Sequence, residues 1–274
     1  MRIIKNALKE DIGRGDITTD PIVDEQQQAL GIIFAKQDGI LCGVKIAQMV
    51  FAELDERIDF QCKMPDGASF SPGMTIATLI GSAALCLKGE RTALNFLQHL
   101  SGITTLTKNF VDATEGRLKI LDTRKTSPGL RVMEKYAVRT GGGHNHRFGL
   151  YDMVLIKDNH IEIAGSITDA VRAARKKRKR AFVEVEVKTF EELDEALSVK
   201  VDRIMLDNMT PDQLSKAVEI VRASEGDTEI EASGGIDLFN ISAYKDCGVD
   251  FISIGALTHS APAIDIAMKL KPLE

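Results

Sequence analysis

FVEVEVKTFEELDEALSVKVDRIMLDNMTPDQLSKAVEIVRASEGDTEIEASGGI, residues 182–236, is the stretch from which the fold class can be read. Three short apolar runs, Phe182–Val187, Arg203–Leu206 and Glu229–Ala232, are separated by amphipathic segments near 190–198 and 211–224. Short runs rich in Val and Ile suit strands, whereas longer segments with apolar residues three and four apart suit helices. Strand and helix in strict turn form βα units, whose strands lie parallel in one sheet. Working outward, strand candidates precede this stretch at Leu118–Thr123 and Met153–Lys157 and follow it at Phe251–Ile254. Further helical segments are expected near 167–179, 238–246 and 262–270. A closed α/β barrel has about eight such units. The six seen here predict an incomplete barrel, closed or covered by the rest of the chain.

The C-terminal ends of these strands share a character. In order they are Arg124-Lys125, Lys157-Asp158, Glu186, Asp207-Asn208, Ser233-Gly234-Gly235 and Gly255-Ala256. Strand C-terminal ends and the loops after them converge on one face of an α/β barrel, where ligands bind. Any one polar strand end is unremarkable, but six in succession point to a site. The last two read SGGI (233–236) and SIGA (253–256), and barrel enzymes often hold a phosphate on backbone N–H groups after their last strands. Glycine there permits close approach of the backbone, and a following helix N-terminus would add a favourable dipole.

Cations gather at the other end of the series. Arg124, Lys125, Arg131, Arg139, His146, Arg147 and Lys157 lie close together in sequence, His146 and Arg147 within GGGHNHR (141–147) and Lys157 at the end of the next strand. Such a density beside a phosphate site implies a polyanionic substrate, with arginine suited to bidentate carboxylate or phosphate recognition. Arg131 and Arg139 fall in a helical segment and read as surface charges. Glu186 and Asp207 face this set. Unpartnered burial of either would be costly, so each is expected to meet a cation, a sugar hydroxyl or Mg²⁺. A zinc site from His144, His146 and His160 lacks both the usual spacing and a cysteine. No G-x-S-x-G, Walker A or G-x-G-x-x-G motif occurs, and nothing nominates a serine or cysteine nucleophile. Lys157 could form a Schiff base, but the surrounding cations favour anion binding.

The first 110 residues read differently. Short strands at Ile32–Lys36 and Thr75–Ile80 are punctuated by Asp38-Gly39, Asp66-Gly67 and Pro72-Gly73. Helices are expected at Gly43–Leu54 and from about Ala84 to Leu100, the second stopping at Ser101-Gly102. Hydrophobic content of 44% suits a buried core, and a net charge of -5 argues against a generic nucleic-acid binder. Four scattered cysteines, a charged start without an apolar signal core and the lack of a long apolar run lead to an expectation of a cytoplasmic protein with reduced thiols. The match to a glycosylation acceptor at Asn208-Met209-Thr210 then carries no meaning.

At these residues the sequence resembles the quinolinate phosphoribosyltransferases. The resemblance covers EDIGRGDITTD (10–20), GERTALNFLQHLSGIT (89–104), DTRKTSPGLR (122–131), KYAVRTGGGHNHRFGLYDMVLIKDNH (135–160), VEVE (183–186), MLDN (205–208), EASGGI (231–236) and SIGA (253–256). It runs essentially end to end, and the block from 122 to 160 is long and specific. It implies an N-terminal α/β sandwich-like domain over 1–110, with the tail 258–274 packed on it, beside an incomplete (β/α) barrel over 111–257. It further implies homodimers, sometimes assembled further, in which Arg91 of one subunit reaches its neighbour's site. Arg124, His146, Arg147 and Lys157 would surround the two carboxylates of quinolinate. Lys125, two residues after the substrate-binding candidate Thr123 of the same motif, would lie near the pyrophosphate of phosphoribosyl pyrophosphate. Glu186 and Asp207 would lie near ribose hydroxyls or Mg²⁺. Ser233, Gly234 and Gly235, with Ile254, Gly255 and Ala256, would take the 5-phosphate. The resemblance thus makes Lys125, Lys157, Glu186 and Asp207 the catalytic set, with Mg²⁺ as cofactor.

Two other readings remain beside it. A related phosphoribosyltransferase could act on a different anionic base, although the intact set Arg124, His146, Arg147 and Lys157 favours a dicarboxylate. The run RAARKKRKR (172–180) could bind nucleic acid or another anionic surface, but cations at a helix C-terminus are favoured by the helix dipole alone.

Overall fold

Gln28–Ala35 buries every second side chain, the alternation of a strand with one face on a core. The computed structural model describes every residue of the chain except Glu25. In chain order it runs through helices α1 (Arg2–Ile12) and α2 (Thr19–Ile22), strands β1 (Gln28–Ala35) and β2 (Gly39–Ile40), and helix α3 (Val44–Leu54). Strands β3 (Asp59–Cys62), β4 (Ser69–Phe70) and β5 (Thr75–Ser82) then lead into the long helix α4 (Ala83–Ala113). Strand β6 (Lys119–Leu121), helix α5 (Arg131–Thr140), β7 (Val154–Ile156), α6 (Asp158–Ala164) and α7 (Ile167–Lys177) follow. The chain continues through β8 (Val183–Val187), α8 (Phe190–Ser198), β9 (Arg203–Asp207), α9 (Pro211–Ala223), β10 (Glu229–Ser233), β11 (Phe251–Ser253), α10 (Ala256–His259) and β12 (Ile266–Pro272).

These elements form two compact units. The first comprises Met1–Lys108, Ser127–Gly142 and Ser260–Glu274, the second Asn109–Thr126 and Gly143–His259. In the first, an antiparallel sheet of order β12-β1-β5-β3 packs with α1, α3 and α4. Ile33, Ile76, Leu79, Phe51, Leu94, Leu97 and Ile266 make its core, and Phe51 stacks on Phe60 at 5.9 Å. This is the α/β sandwich-like part. Helix α5 belongs with it rather than with the barrel elements that flank it in sequence. Its buried face explains the placement: Glu134 bonds His99 Nε2 at 2.9 Å, and the Ala137 carbonyl accepts from Thr104 Oγ1 at 3.0 Å. Arg139 is exposed on that helix and Arg131 half-buried.

Two expectations are corrected in this half. Helix α4 does not stop at Ser101-Gly102 but continues to Ala113. Gly102 serves close packing instead, since a Cβ there would lie 2.1 Å from the Pro262 carbonyl oxygen. Ser101 uses its hydroxyl to hold the backbone N–H of Cys42 at 3.0 Å. The segment 262–270 is no helix: Ile266–Pro272 is strand β12, paired antiparallel with β1. Its buried residues Ile264, Ile266 and Met268 recur every second position, a strand period.

The second unit is built on a six-stranded parallel sheet of order β6-β11-β10-β9-β8-β7. The strands β6 and β7 end that order without pairing to each other, which makes the barrel incomplete as expected. His144 forms a single parallel bridge to Leu121, donating its N–H to the Ile120 carbonyl at 2.7 Å. All five residues of β8 are buried, Val183, Val185 and Val187 on one face and Glu184 and Glu186 on the other. Helices α7, α8 and α9 fall where the sequence places them. The segment 238–246 holds only a 3₁₀ turn, Ile241–Ala243, because the side chains of Asp237 and Asn240 tie the preceding loop through Asn240 N–H to Asp237 Oδ1 (3.0 Å) and Asp237 N–H to Asn240 Oδ1 (2.9 Å). Among the described residues no helix is long and apolar enough to cross a membrane. All four cysteines are free; Cys42, Cys86 and Cys247 are buried, and burial pushes the Cys42 thiol up to about 12.

Candidate active site

A cleft of about 750 Å³ opens at the C-terminal ends of the parallel strands. Each strand places its last inward side chain or its following loop there. Thr123, Arg124 and Lys125 follow β6, Lys157 follows β7, Glu186 sits on β8 and Asp207 ends β9. Ser233, Gly234 and Gly235 come from the end of β10, and Ile254, Gly255 and Ala256 follow β11. His146 and Arg147 enter from the segment that His144 bridges to β6. The structure therefore brings fourteen of the fifteen sequence-selected residues together in one cleft. Arg91 is the exception; it is exposed on α4 in the first unit.

The cations of this wall are held by backbone and carboxylate partners. Arg147 Nη1 donates to the Met153 carbonyl at 3.1 Å. Burial, then the nearby charge of Arg124, pulls the Arg147 guanidinium below its ordinary range. Two guanidiniums crowded together are relieved by an anion placed between them. Lys157 is ion-paired with Glu186, which answers the expectation that this buried carboxylate meets a cation. The Lys157 N–H donates to His160 Nδ1 at 3.0 Å, while His144 is exposed, so the three histidines do not converge as a zinc set. Lys125 is anchored at its backbone: Thr258 Oγ1 donates to its carbonyl at 2.7 Å, and its N–H donates to Thr123 Oγ1 at 3.0 Å.

Opposite lie the glycine loops. Gly234 has φ +99°, and a Cβ there would stand 2.2 Å from Asn208 Oδ1. Only glycine suits both the backbone angle and the space. Asn208, itself at φ 57°, donates its N–H to the Ser233 carbonyl at 2.8 Å and its Nδ2 to Asp207 Oδ2 at 2.7 Å. Asn240 Nδ2 braces the loop from beyond, donating to the Gly235 carbonyl at 2.8 Å. The helix that follows β11, α10, has only four residues, so any anion held here depends on loop N–H groups more than on a helix dipole.

Sequence reasoning missed the layer below. Glu184 and Glu231 are fully buried, and both face His146 Nε2, Glu184 at 3.1 Å and Glu231 at 3.4 Å. Arg203 Nη1 lies 3.3 Å from Glu231, and its Nη2 pairs with Glu229 at 2.6 Å. The signal was present in FVEVEV, because Glu184 stands two residues from Glu186 and must share its face. The basic run 172–180 stays outside the cleft. It ends α7, where Arg175 donates to the Val199 and Lys200 carbonyls, both at 2.6 Å.

An α/β-barrel face with fixed cations on one wall and glycine loops on the other defines an enzyme site for a polyanionic, phosphate-bearing substrate. Residues 16–101 and 103–269 match the two domains of the family described as quinolinate phosphoribosyl transferase, N-terminal and C-terminal respectively. A protein of Bacillus subtilis (strain 168), described as a probable nicotinate-nucleotide pyrophosphorylase (carboxylating), is 45% identical over 269 residues, covering 97% of this chain and 92% of its own. One of the same description from Synechocystis is 42% identical over 266 residues, with 96% and 90% covered. The crystal structure of NadC from Streptococcus pyogenes superimposes with a TM-score of 0.95 at 43% identity, over 100% of this chain and 96% of that one. The chain belongs to the quinolinate phosphoribosyltransferase family.

Proposed function

We propose that this cleft transfers the phosphoribosyl group of phosphoribosyl pyrophosphate to quinolinate and releases CO₂, forming nicotinate mononucleotide and pyrophosphate in NAD biosynthesis. The observation that carries the reading is the division of one cleft into a cationic wall, Arg124, Lys125, His146, Arg147 and Lys157, and a phosphate-binding wall, Ser233–Gly235 and Ile254–Ala256. The wide family match supports the choice of quinolinate.

Chemistry then follows from charge. The backbone N–H groups of the glycine loops hold the 5-phosphate, and Glu186 and Asp207 accept ribose hydroxyls. The bond from the anomeric carbon to pyrophosphate breaks, its electron pair leaving with pyrophosphate, whose charge Lys125 offsets. The pyridine nitrogen of quinolinate supplies the new electron pair to that carbon and becomes a pyridinium. Arg124, Arg147, His146 and Lys157 orient the two carboxylates. The 2-carboxylate then leaves as CO₂, its bonding pair stays on the ring carbon beside the positive nitrogen, and a proton completes nicotinate mononucleotide. The cations must loosen their hold as the carboxylate departs, because only interactions stronger in the transition state accelerate the step. No protein nucleophile is needed.

The carboxylates fit Mg²⁺ in part. Mg²⁺ is commonly held by one or two carboxylates plus substrate phosphates and water. Asp207 has hard oxygen donors beside the phosphate loops, whereas Glu186 is already neutralised by Lys157. Asp207 is therefore the residue that would hold Mg²⁺ arriving on the pyrophosphate. When bound, the ion would offset charge on the leaving group. We further assign the enzyme to a homodimer in which Arg91, exposed on α4, completes the neighbouring subunit's site. Free and mainly buried thiols suit a reducing compartment such as the cytoplasm. The test is direct: protein, quinolinate, phosphoribosyl pyrophosphate and Mg²⁺ should yield nicotinate mononucleotide and CO₂ in equal amounts. Turnover of nicotinate or another base, with none of quinolinate, would overturn the substrate assignment.

A further inference from the structure

Below the cleft floor the barrel interior holds a charged cluster where a hydrophobic layer is usual. Parallel register sets Glu184 beside Arg203 and Arg203 beside Glu229, and one step higher Glu186 beside Met205 and Met205 beside Glu231. Side chains two residues apart share a face, so Glu184, Arg203 and Glu231 all point inward. His146 comes down onto them. Its Nε2 meets Glu184 and Glu231 together, while its backbone N–H donates to Asp122 Oδ1 at 2.8 Å, which fixes the residue from a second side. Arg203 Nη1 stands 3.3 Å from Glu231 and 3.9 Å from Glu184. Its guanidinium carbon also lies 4.2 Å from the centroid of the Phe251 ring.

The charges must balance, because burying an uncompensated carboxylate costs several kcal/mol. Glu184 and Glu231 bring two negative charges and Arg203 one positive. Arg203 is shared with Glu229 at 2.6 Å, and buried Asp122 lies against His146, so the deficit is at least one positive charge, and His146 is the group placed to carry it. A divalent cation on the same three ligands, whose donor atoms lie within 4.8 Å of one another, would stand against the Arg203 guanidinium. A proton suits the cluster better than a metal does.

We propose that Glu184, Glu231 and Arg203 are positioning residues that hold His146 as a fixed imidazolium, so that it acts as a permanent cation in the wall that receives a quinolinate carboxylate. This rests on the proposed reaction for the identity of the anion, but not for the state of the ring. Burial alone would lower the His146 value, yet its bonds to Glu184 and Glu231 reverse this and push it up to about 9. Burial and the charge of Glu231 also raise Glu184, and both shifts describe one tendency, the uptake of a proton by a cluster at least one positive charge short. The proton resides on His146, which then meets two carboxylates at once. Buried Asp122, whose carboxylate accepts the His146 backbone N–H at 2.8 Å, is a further negative group beside the residue, and Arg147 follows it in the chain.

Substitutions Glu184→Gln and Glu231→Gln, which keep shape and remove charge, test the idea in the full-length enzyme. At pH 8 each should raise the KM for quinolinate about tenfold or more while changing that for phosphoribosyl pyrophosphate less than about twofold, since loss of the countercharge frees the imidazole to its ordinary value near 6.5. At pH 6 most of the quinolinate KM should return, and Glu184→Asp should recover part of it at pH 8. Equal losses in both KM values and kcat, independent of pH, would reduce these residues to a structural role and overturn the proposal. Nitrogen NMR of the imidazole in the unsubstituted, substrate-free protein should show both ring nitrogens protonated at pH 7. A neutral ring would overturn the proposal whatever the substrate proves to be. Stoichiometric binding of Zn²⁺ or Mn²⁺, lost in Glu231→Gln, would also overturn it by making the trio a metal site.

Discussion

Lys157 and Glu186 illustrate how one pair can serve structure and chemistry together. The lysine ends β7 and the glutamate sits on neighbouring β8, so the ion pair spans two strand ends at the mouth of the barrel. Lys157→Met removes a cation from the cleft, one the proposed reaction uses to hold substrate, and leaves a nearly buried carboxylate alone. Steady-state kinetics should show kcat/KM reduced about 100-fold or more, a loss of roughly 3 kcal/mol in transition-state stabilisation. The double variant Lys157→Met, Glu186→Gln should be more stable to urea than Lys157→Met itself, because the stranded charge is gone. His146 yields a pH prediction. Its folded value of about 9 lies above the ordinary 6.5, so its contribution to stability is fully present below pH 6.5 and is lost as pH rises through 9. Urea titrations at pH 6.5 and 9.5 should differ, and the difference should shrink in His146→Gln.

At the scale of elements, two glycines decide what the chain can do. Gly102 lies inside α4, where glycine normally weakens a helix by about 1 kcal/mol relative to alanine. Here the order reverses, since alanine would press on the Pro262 carbonyl. Gly102→Ala should lower the stability of the first unit by about 2–3 kcal/mol, read from the denaturant midpoint. Gly234→Ala strains the loop after β10 at a positive φ and against Asn208. Its effect should fall on the KM for phosphoribosyl pyrophosphate, raised about tenfold or more, with a smaller change for quinolinate. The βα elements were legible because their apolar runs and amphipathic helices keep distinct periods. The end of α4 and the nature of 262–270 were not, because each depends on a neighbour distant in sequence: Pro262 beside Gly102, and the open edge of β1 beside β12.

At the scale of the whole molecule, a chain with net charge -5 keeps a local group of cations, Arg124, Lys125, Arg147 and Lys157, at one barrel mouth. Anionic substrates are drawn to such a cleft despite the overall charge, so association should weaken as ionic strength rises. The proposed shared site gives a second test. Arg91→Ala and Lys157→Ala subunits, each inactive alone, should recover up to about a quarter of normal activity when randomly mixed as dimers, since half the dimers hold one intact site. No recovery in verified mixed dimers would remove Arg91 from the neighbouring site.

The sequence by itself determined the succession of βα units, the cations at 124–157, the glycine loops at 233–235 and 254–256, and through them a phosphate-bearing polyanion as ligand. These features are local: strand ends and turns carry their meaning within a few residues. Only the tertiary structure decided that α5 joins the first unit, that β12 closes the antiparallel sheet, and that Glu184, Glu231 and Arg203 gather beneath His146. The physical reason is that burial and charge balance are properties of space. A glutamate in an apolar strand shows that a partner must exist, but only the register of three strands shows which one it meets.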